Sequence, residues 1–543
     1  MIPSIASWIG LFSSLISFHI STNVELENGA RLVFRLQHPD GVCSVLFWPE
    51  KEAIVTGCWD DSIRFWNVRT GKMDREWKAH QAGVTALARS PKGALASAGL
   101  NCSVQVWADD KPAKIGRFHT RNATNSLAFS PDGTLLFSAA WRNAYLWELP
   151  RGRLTIDSYD YSPSAVAFSP TGKFLAMGTA SGLVLLLDAP FAKIPDPPEG
   201  KGVTLLDKTT KVRRDDGLHV GNAFAIYSLA FSPDGRTLAA FGEISDLILW
   251  EVLTGKERRR LKTEKAVGFS VAFAPNGRVL ATGEGWGFDL KGYPGGDRTT
   301  GHNNKEEAEC NFTRLWDIRS GKAICRLARH ETGTRCLAFS PDGKLLATGS
   351  EDKSVLLWDV SAITQPPKSN APETPLGDLE SLWTSLKADD AAVAYDAILR
   401  LSDSPKQSTP FLRDKLRPVA AVEKTEVEKL LKKMDSDDFA TRQEASQQLQ
   451  ELGEGADATL RDELSKQISL ESRARINSAI DKWKGHNPNP EILGALRGVE
   501  TLERIGSDDA IAVLEGLAKG LSSARLTQEA KGSLTRIRER EKK

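Results

Sequence analysis

The stretch that decides the fold is TGTRCLAFSPDGKLLATGSEDKSVLLWDV, residues 332–360. Two apolar runs, CLAF at 336–339 and LLAT at 345–348, flank Ser-Pro-Asp-Gly, and a third run ends in Trp358-Asp359. Proline presets φ in a tight turn and glycine accepts positive φ, so the runs read as antiparallel strands joined by a turn. Three such strands cannot bury a core alone, so the unit needs neighbours.

The rest of the chain supplies them. The x-Pro-x-Gly turn recurs at Pro91, Pro131, Pro170, Pro233, Pro275 and Pro341, with a degenerate copy at Pro49. Successive spacings are 42, 40, 39, 63, 42 and 66 residues. Four of these lie near the period of about 40–45 residues that a four-stranded propeller blade needs, and the other two each carry one insertion. A third-strand aromatic keeps the same rhythm at Trp66, Trp107, Trp147, Trp250, Trp316 and Trp358, with Leu187 at the remaining position. Seven turns and seven third strands agree.

This pattern resembles the WD-repeat β-propeller family over residues 23–361, although only Trp316-Asp317 and Trp358-Asp359 keep the literal dipeptide. The resemblance implies a set that locks each blade: a His before the first strand, an Asp before the third, and the third-strand Trp. His38, Asp60 and Trp66 match it in blade one, and His330, Asp352 and Trp358 match it in blade seven. Blades two and three keep His80 and His119 without the aspartate, Asn101 standing in one and a shortened turn in the other. Such a network satisfies its own hydrogen bonds, so a structural role is expected for these residues and catalysis is not.

Residues 32–36 (LVFRL) look like a fourth strand without its first three, while blade seven runs from Val360 into Pro366-Pro367 and lacks a fourth. Pairing the two closes the ring and removes exposed edges. Blade four's excess, after residues 183–188, holds Pro195, Pro197 and Pro198, which break a strand; a displaced fourth strand is expected near residues 203–206. The basic run Lys256–Lys262 (KERRRLK) falls where blade five's outermost strand belongs, and charge on an edge strand deters stray pairing.

After Asp359 the composition changes. Residues 362–377 are a Pro/Ser/Thr-rich linker, and residues 378–543 show helical spacing, as in Ile492, Leu496, Val499 and Leu502. Acidic pairs at 389–390, 437–438 and 508–509 stand where helices should begin, and Gly453 and Gly506 where they should stop. This region resembles HEAT-like or armadillo-like repeats, with a non-repeating bundle as the alternative. The expected architecture is an all-β seven-bladed β-propeller followed by a smaller all-α helical-repeat domain, an arrangement that resembles bacterial WD-repeat proteins.

Lys+Arg total 71 and Asp+Glu 70, so the net charge of +1 gives no field to draw nucleic acid, even at KERRRLK. The six cysteines lie scattered with no CxxC pair, which fits a reducing, cytoplasmic setting and no disulfide framework. Residues 1–22 form an apolar N-terminal segment, and residues 1–20 carry no Asp, Glu, Lys or Arg. They lack the basic n-region and cleavage site of a secretory signal; a tail is expected, with membrane association the alternative.

No GxSxG elbow, P-loop, HExxH or kinase set is present, and no enzyme activity, cofactor, metal or small-molecule substrate is expected. The blade-six insertion, residues 284–311, is the candidate site. Trp286, Phe288, Tyr293, Arg298 and His302 are side chains of the kinds that anchor interfaces, so a protein or peptide partner is expected there. The competing reading, an enzyme or metal-binding propeller, would draw on Asp297, His302, Glu306, Glu307 and Cys310, whose spacing matches no ligand pattern. The helical tail is expected to offer a second binding surface.

Overall fold

The structure, a computed structural model, describes residues 29–108, 114–149, 151–159, 162–189, 191, 203–204, 225–243, 246–263, 267–285, 311–364, 377–466, 468–484 and 489–541. Seven four-stranded antiparallel sheets succeed one another along the chain, and six of them use strands in strict sequence order. The exception is blade seven. Its strands Thr334–Phe339, Leu345–Ser350 and Ser354–Asp359 are completed by Arg31–Gln37 from the N-terminal side of the chain. Arg31 stands opposite Asp359 and Leu36 opposite Val355, so the expected ring closure is present.

The turns explain the regularity. Gly93, Gly133, Gly172, Gly235, Gly277 and Gly343 all adopt positive φ, the left-handed conformation a side chain resists. In the degenerate copy after Pro49, Glu52 takes that conformation at φ 48°. The turns also stack around the ring: Gly172 faces Pro131, Gly235 faces Pro170, Gly277 faces Pro233 and Gly343 faces Pro275. Alternating Leu, Ala, Ile and Val on second and third strands fill the spaces between blades. Among the described residues, blade four's fourth strand is Val203–Thr204, opposite Leu186 and Leu185, within the displaced stretch expected.

Beyond the short helix α1 (Ser361–Thr364) the structure is helical. In order come α2 (Leu379–Leu386), α3 (Ala391–Ser402), α4 (Pro405–Lys415), α5 (Lys424–Met434), α6 (Phe439–Glu451), α7 (Asp457–Leu464), α8 (Leu470–Lys484), α9 (Pro490–Ile505), α10 (Asp508–Leu517) and α11 (Arg525–Glu541). Asp390 and Asp438 cap α3 and α6 through their carboxylates. At 508–509 the cap is instead Ser507, and the acidic pair fills the first turn. Gly506 closes α9 at φ 62°.

Helices α5–α8 share one core, with Val427, Leu449, Ile476 and Trp483 at its centre. Helices α2–α4 and α9–α11 share another, in which α9 returns to pack on α2 and α3, more than a hundred residues earlier in the chain. Linear repeat arrays touch only their neighbours. The packing therefore lends no support to a HEAT-like stack.

The second helical core does not stand apart from the propeller. Leu382, Trp383, Tyr395, Ile398, Leu496 and Val499 pack into one apolar cluster with Phe241, Leu247, Leu249 and Leu261 of blade five and Trp316 and Ile318 of blade six. Lys256–Lys262 is blade five's fourth strand, but it is no solvent-facing guard: α3 lies on it and Arg258 is fully buried. Lys256, Arg258 and Arg259 have partners across the boundary, in Asp389, Glu500 and Asp396. The expectation of an exposed charged edge is corrected accordingly.

Candidate interaction surface

In five of the seven blades the inner architecture is set by a Ser or Thr that the sequence pattern did not single out. In blade seven, Thr348 Oγ1 meets His330 Nε2 at 2.9 Å and accepts from Trp358 Nε1 at 3.1 Å, while His330 Nδ1 meets Asp352 at 2.9 Å. His330, Asp352 and Trp358 are thus brought together, with Thr348 as the link. Burial works against the Asp352 carboxylate, but His330 and Ser354 outweigh it and hold its pKa at about 2.

Blade one repeats half of this. His38 Nε2 and Trp66 Nε1 both reach Thr56 Oγ1, at 2.9 and 3.1 Å. His38 Nδ1 donates to the Leu36 carbonyl, and Asp60 turns instead to Arg64 at 3.0 Å. The expected His38–Asp60 bond is absent because that guanidinium, itself only 4% exposed, also reaches Glu76 and needs the carboxylate more. Burial lowers the His38 pKa from 6.5 to about 4, which keeps the ring neutral.

Ser97 serves Trp107 and His80 in blade two, with Asn101 on the other ring nitrogen. Ser138 serves Trp147 in blade three and Thr282 serves Trp316 in blade six. In blade three Thr120, not His119, precedes the first strand by four residues, so His119 sits exposed at the end of its strand. The blade-four position holds Met177 opposite the apolar Leu185, next to Leu187, and blade five's holds Ala240.

The residue following each second strand marks the face onto which the blade-six insertion opens. Trp59, Leu100, Trp141, Ala180 and Glu243 each donate their backbone N–H to the loop before their own first strand, at 2.9–3.0 Å. This equivalence gathers apolar side chains, Trp59, Leu100 and Trp141, on three successive blades. Trp141 is 40% exposed. Across the ring, Glu243 accepts from Tyr227 at 2.5 Å, and Glu351 pairs with Arg335 at 2.6 Å. Arg335 in turn lies over the Phe269 ring at 4.2 Å.

Trp286, Phe288, Tyr293, Arg298 and His302 lie outside the described residues, as do the alternative ligands Asp297, Glu306, Glu307 and Cys310. The insertion's base is described. Gly285 abuts Gly333, where a Cβ would stand 2.6 Å from the Gly333 Cα, and Asn311 donates to the Glu331 carbonyl at 3.2 Å. Beneath it Glu284 is fully buried, held by Thr282 at 2.6 Å and Arg314 at 3.4 Å. Among the described residues, no group of three or more His, Cys, Asp or Glu side chains could hold a metal. Among those residues no helix is long and apolar enough to cross a membrane; residues 1–20 are not among them.

The WD domain, G-beta repeat family matches at residues 30–67, 71–108, 112–148 and 321–359. Each segment runs from the fourth strand of one blade to the third of the next, and together they end in blades one, two, three and seven. Blades four and five and the first three strands of blade six, where insertions fall or the Ser/Thr link is lost, lie outside the match. The chain is similar to nuclear distribution protein PAC1 of Arthroderma otae, 27% identical over 334 residues and 60% of each chain. It is similar to the guanine nucleotide-binding protein subunit beta of Oryza sativa subsp. indica, 25% identical over 347 residues, 60% of this chain and 82% of that one. Telomerase protein component 1 of Mus musculus is 24% identical over 342 residues, covering 62% of this chain and 12% of its own. The match thus spans about three-fifths of the fungal relative and about an eighth of the murine one. These relatives are eukaryotic and give no support to a bacterial resemblance. The chain carries WD40 repeats in a seven-bladed β-propeller, followed by a helical C-terminal region.

Proposed function

We propose that the protein is a non-enzymatic interaction scaffold that presents the face bearing Trp59, Leu100 and Trp141, together with the blade-six insertion, to a protein or peptide. The observation that carries this reading is the equivalence of those three apolar residues, held at one position on three rigid blades. Large apolar side chains on a rigid frame lose little entropy on binding, and aromatic ones are the usual anchors of interfaces. Relatives named as a G-protein β subunit and a nuclear distribution protein agree with a role among proteins.

Within this reading His38, His330, Asp352, Thr348 and the third-strand tryptophans lock blades and do not meet the partner. Asp60 belongs to an ion cluster with Arg64 and Glu76. On the helical side, a cleft of about 770 Å³ between the two helical cores, lined by Leu452, Trp483, Ile492 and Leu526, is the second binding surface.

The test is affinity capture with full-length protein, a deletion of residues 285–311, and Trp141→Ala. Either change should remove at least one captured protein without lowering the melting temperature. An unchanged set of captured proteins with both would contradict the assignment of this face.

A further inference from the structure

Blade five is the one blade whose third-strand tryptophan has lost its link. Ala240 occupies the Ser/Thr position, and the Trp250 Nε1 is buried without a hydrogen-bond partner among the described residues. In blade four the same loss costs nothing, because Leu187 has replaced the tryptophan and no polar atom is stranded.

The helical region docks on this same blade, and it grips the residue next to Trp250. Glu251, about 1% exposed, accepts from Arg497 Nε and Nη2 at 2.9 and 2.7 Å and from Arg258 at 3.1 Å. Arg258 then spans three strands and a helix. From the fourth strand it donates to Thr237 on the second at 3.0 Å, to Glu251 on the third, and to Glu500 of α9 at 3.0 and 2.7 Å. Arg497 also satisfies the carbonyls of Leu386 and Ala388 at the end of α2, at 2.8 and 2.7 Å.

A second clamp lies one residue along. Arg236, in the turn before Thr237, reaches Glu503 at 2.6 Å and Ser533 at 2.9 Å, and Glu503 is shared with Arg536 and Arg540. The guanidinium of Arg258 sits 5.1 Å from the Tyr395 ring centre on α3. Burial pushes the Glu251 and Glu503 carboxyls up, but the flanking arginines win and hold both at about 2, so these two stay ionised near neutral pH.

What Thr348 does within blade seven, joining second strand to third, Arg258 does in blade five from outside the tryptophan's reach. It can do so only while Glu500 neutralises it, since Glu251 is shared with Arg497 and alone would leave one of two buried guanidiniums uncompensated. We propose that the helical region is a brace for blade five: α9 closes, through Arg258, the sheet whose own side-chain lock is missing. The faces of α3 and α9 that meet blade five are thereby spent on the propeller.

Hydrogen exchange on the full-length protein tests this. In Glu500→Gln, amides of residues 246–251 and 256–262 should exchange at least ten-fold faster than in the unmodified protein, while those of residues 42–48 and 345–350 hold their rates. Glu515→Gln, which removes only an exposed pair with Arg538, should change neither set. Adding Ala240→Ser to Glu500→Gln should restore much of the blade-five protection by giving Trp250 an acceptor. If Glu500→Gln prevents folding, Arg504→Gln takes its place with an expected three-fold acceleration, because Arg504 supports Glu500 from a partly exposed site. Unchanged exchange in blade five, an equal rise in every blade, or no rescue by Ala240→Ser would each overturn the proposal.

Discussion

Blades seven and five are built from the same four strands and the same Pro–Gly turn, yet they are held shut in opposite ways. Blade seven closes from within: Thr348 joins Trp358 to His330, and His330 joins Asp352. Blade five has Ala240 in place of that threonine and closes from without, through Arg258 and two glutamates, one of them on a helix that lies 242 residues further along the chain. The difference teaches that a repeat's side-chain lock can be lost when another element takes over the crossing of its strands. A hydroxyl link is local and cheap in entropy; an ionic brace needs a whole domain docked in register, because each buried charge must meet its partner.

The largest effect is expected at the ring closure. A chain beginning at residue 38 lacks the strand Arg31–Gln37 and leaves the edge of Ser354–Asp359 open. Thermal unfolding should show loss of the cooperative propeller transition, far beyond the effect of trimming a tail. Next comes Thr348→Val, which strands both Trp358 Nε1 and His330 Nε2 in a dry site; denaturant unfolding should show a loss of about 4 kcal/mol, from two orphaned buried groups. The matching position in blade five offers no such sensitivity, since Ala240 makes no polar contact to lose.

Blade one supplies a pH test. Burial depresses the folded His38 pKa to about 4, so the unfolded chain, with its value near 6.5, takes up the proton first. Stability from this residue is complete above pH 6.5 and falls as the pH drops towards 4, by roughly 3 kcal/mol in all. A His38→Gln variant should lose that slope between pH 6.5 and 5, where carboxylates do not yet titrate, and urea titrations across the window would show it. The smallest effect is a gain: Ala240→Ser should stabilise the protein by about 1 kcal/mol by pairing Trp250 Nε1.

Much of the propeller was legible because its determinants are local. Pro131 and Gly133 set a turn, Leu136 and Trp147 set neighbouring strands, and nearly the same spacing recurs in every blade but the sixth. The link residues were not, because Thr56, Ser97 and Thr348 look like ordinary strand formers until a tryptophan is seen to donate to them. His119 shows how one residue of register moves a side chain from the buried position to the exposed face. KERRRLK was legible as a strand but not as an interface, since nothing local to it announces Glu500. Helix α9 explains why: its apolar stripe at Ile492, Leu496, Val499 and Leu502 is plain in the sequence, while Arg497, Glu500 and Glu503 on its other sides are buried too. A helix that is charged by composition and buried all round reads as solvated until its partners are in place.

If α9 braces blade five, the two form one structural unit. Native-state hydrogen exchange across low denaturant concentrations tests it directly by comparing the opening free energies of residues 490–505 and 256–262 in the unmodified full-length protein. The two segments should open together, with values within about 1 kcal/mol and the same denaturant dependence. A helix α9 that opens several kcal/mol before the strand, leaving blade five protected, would contradict it.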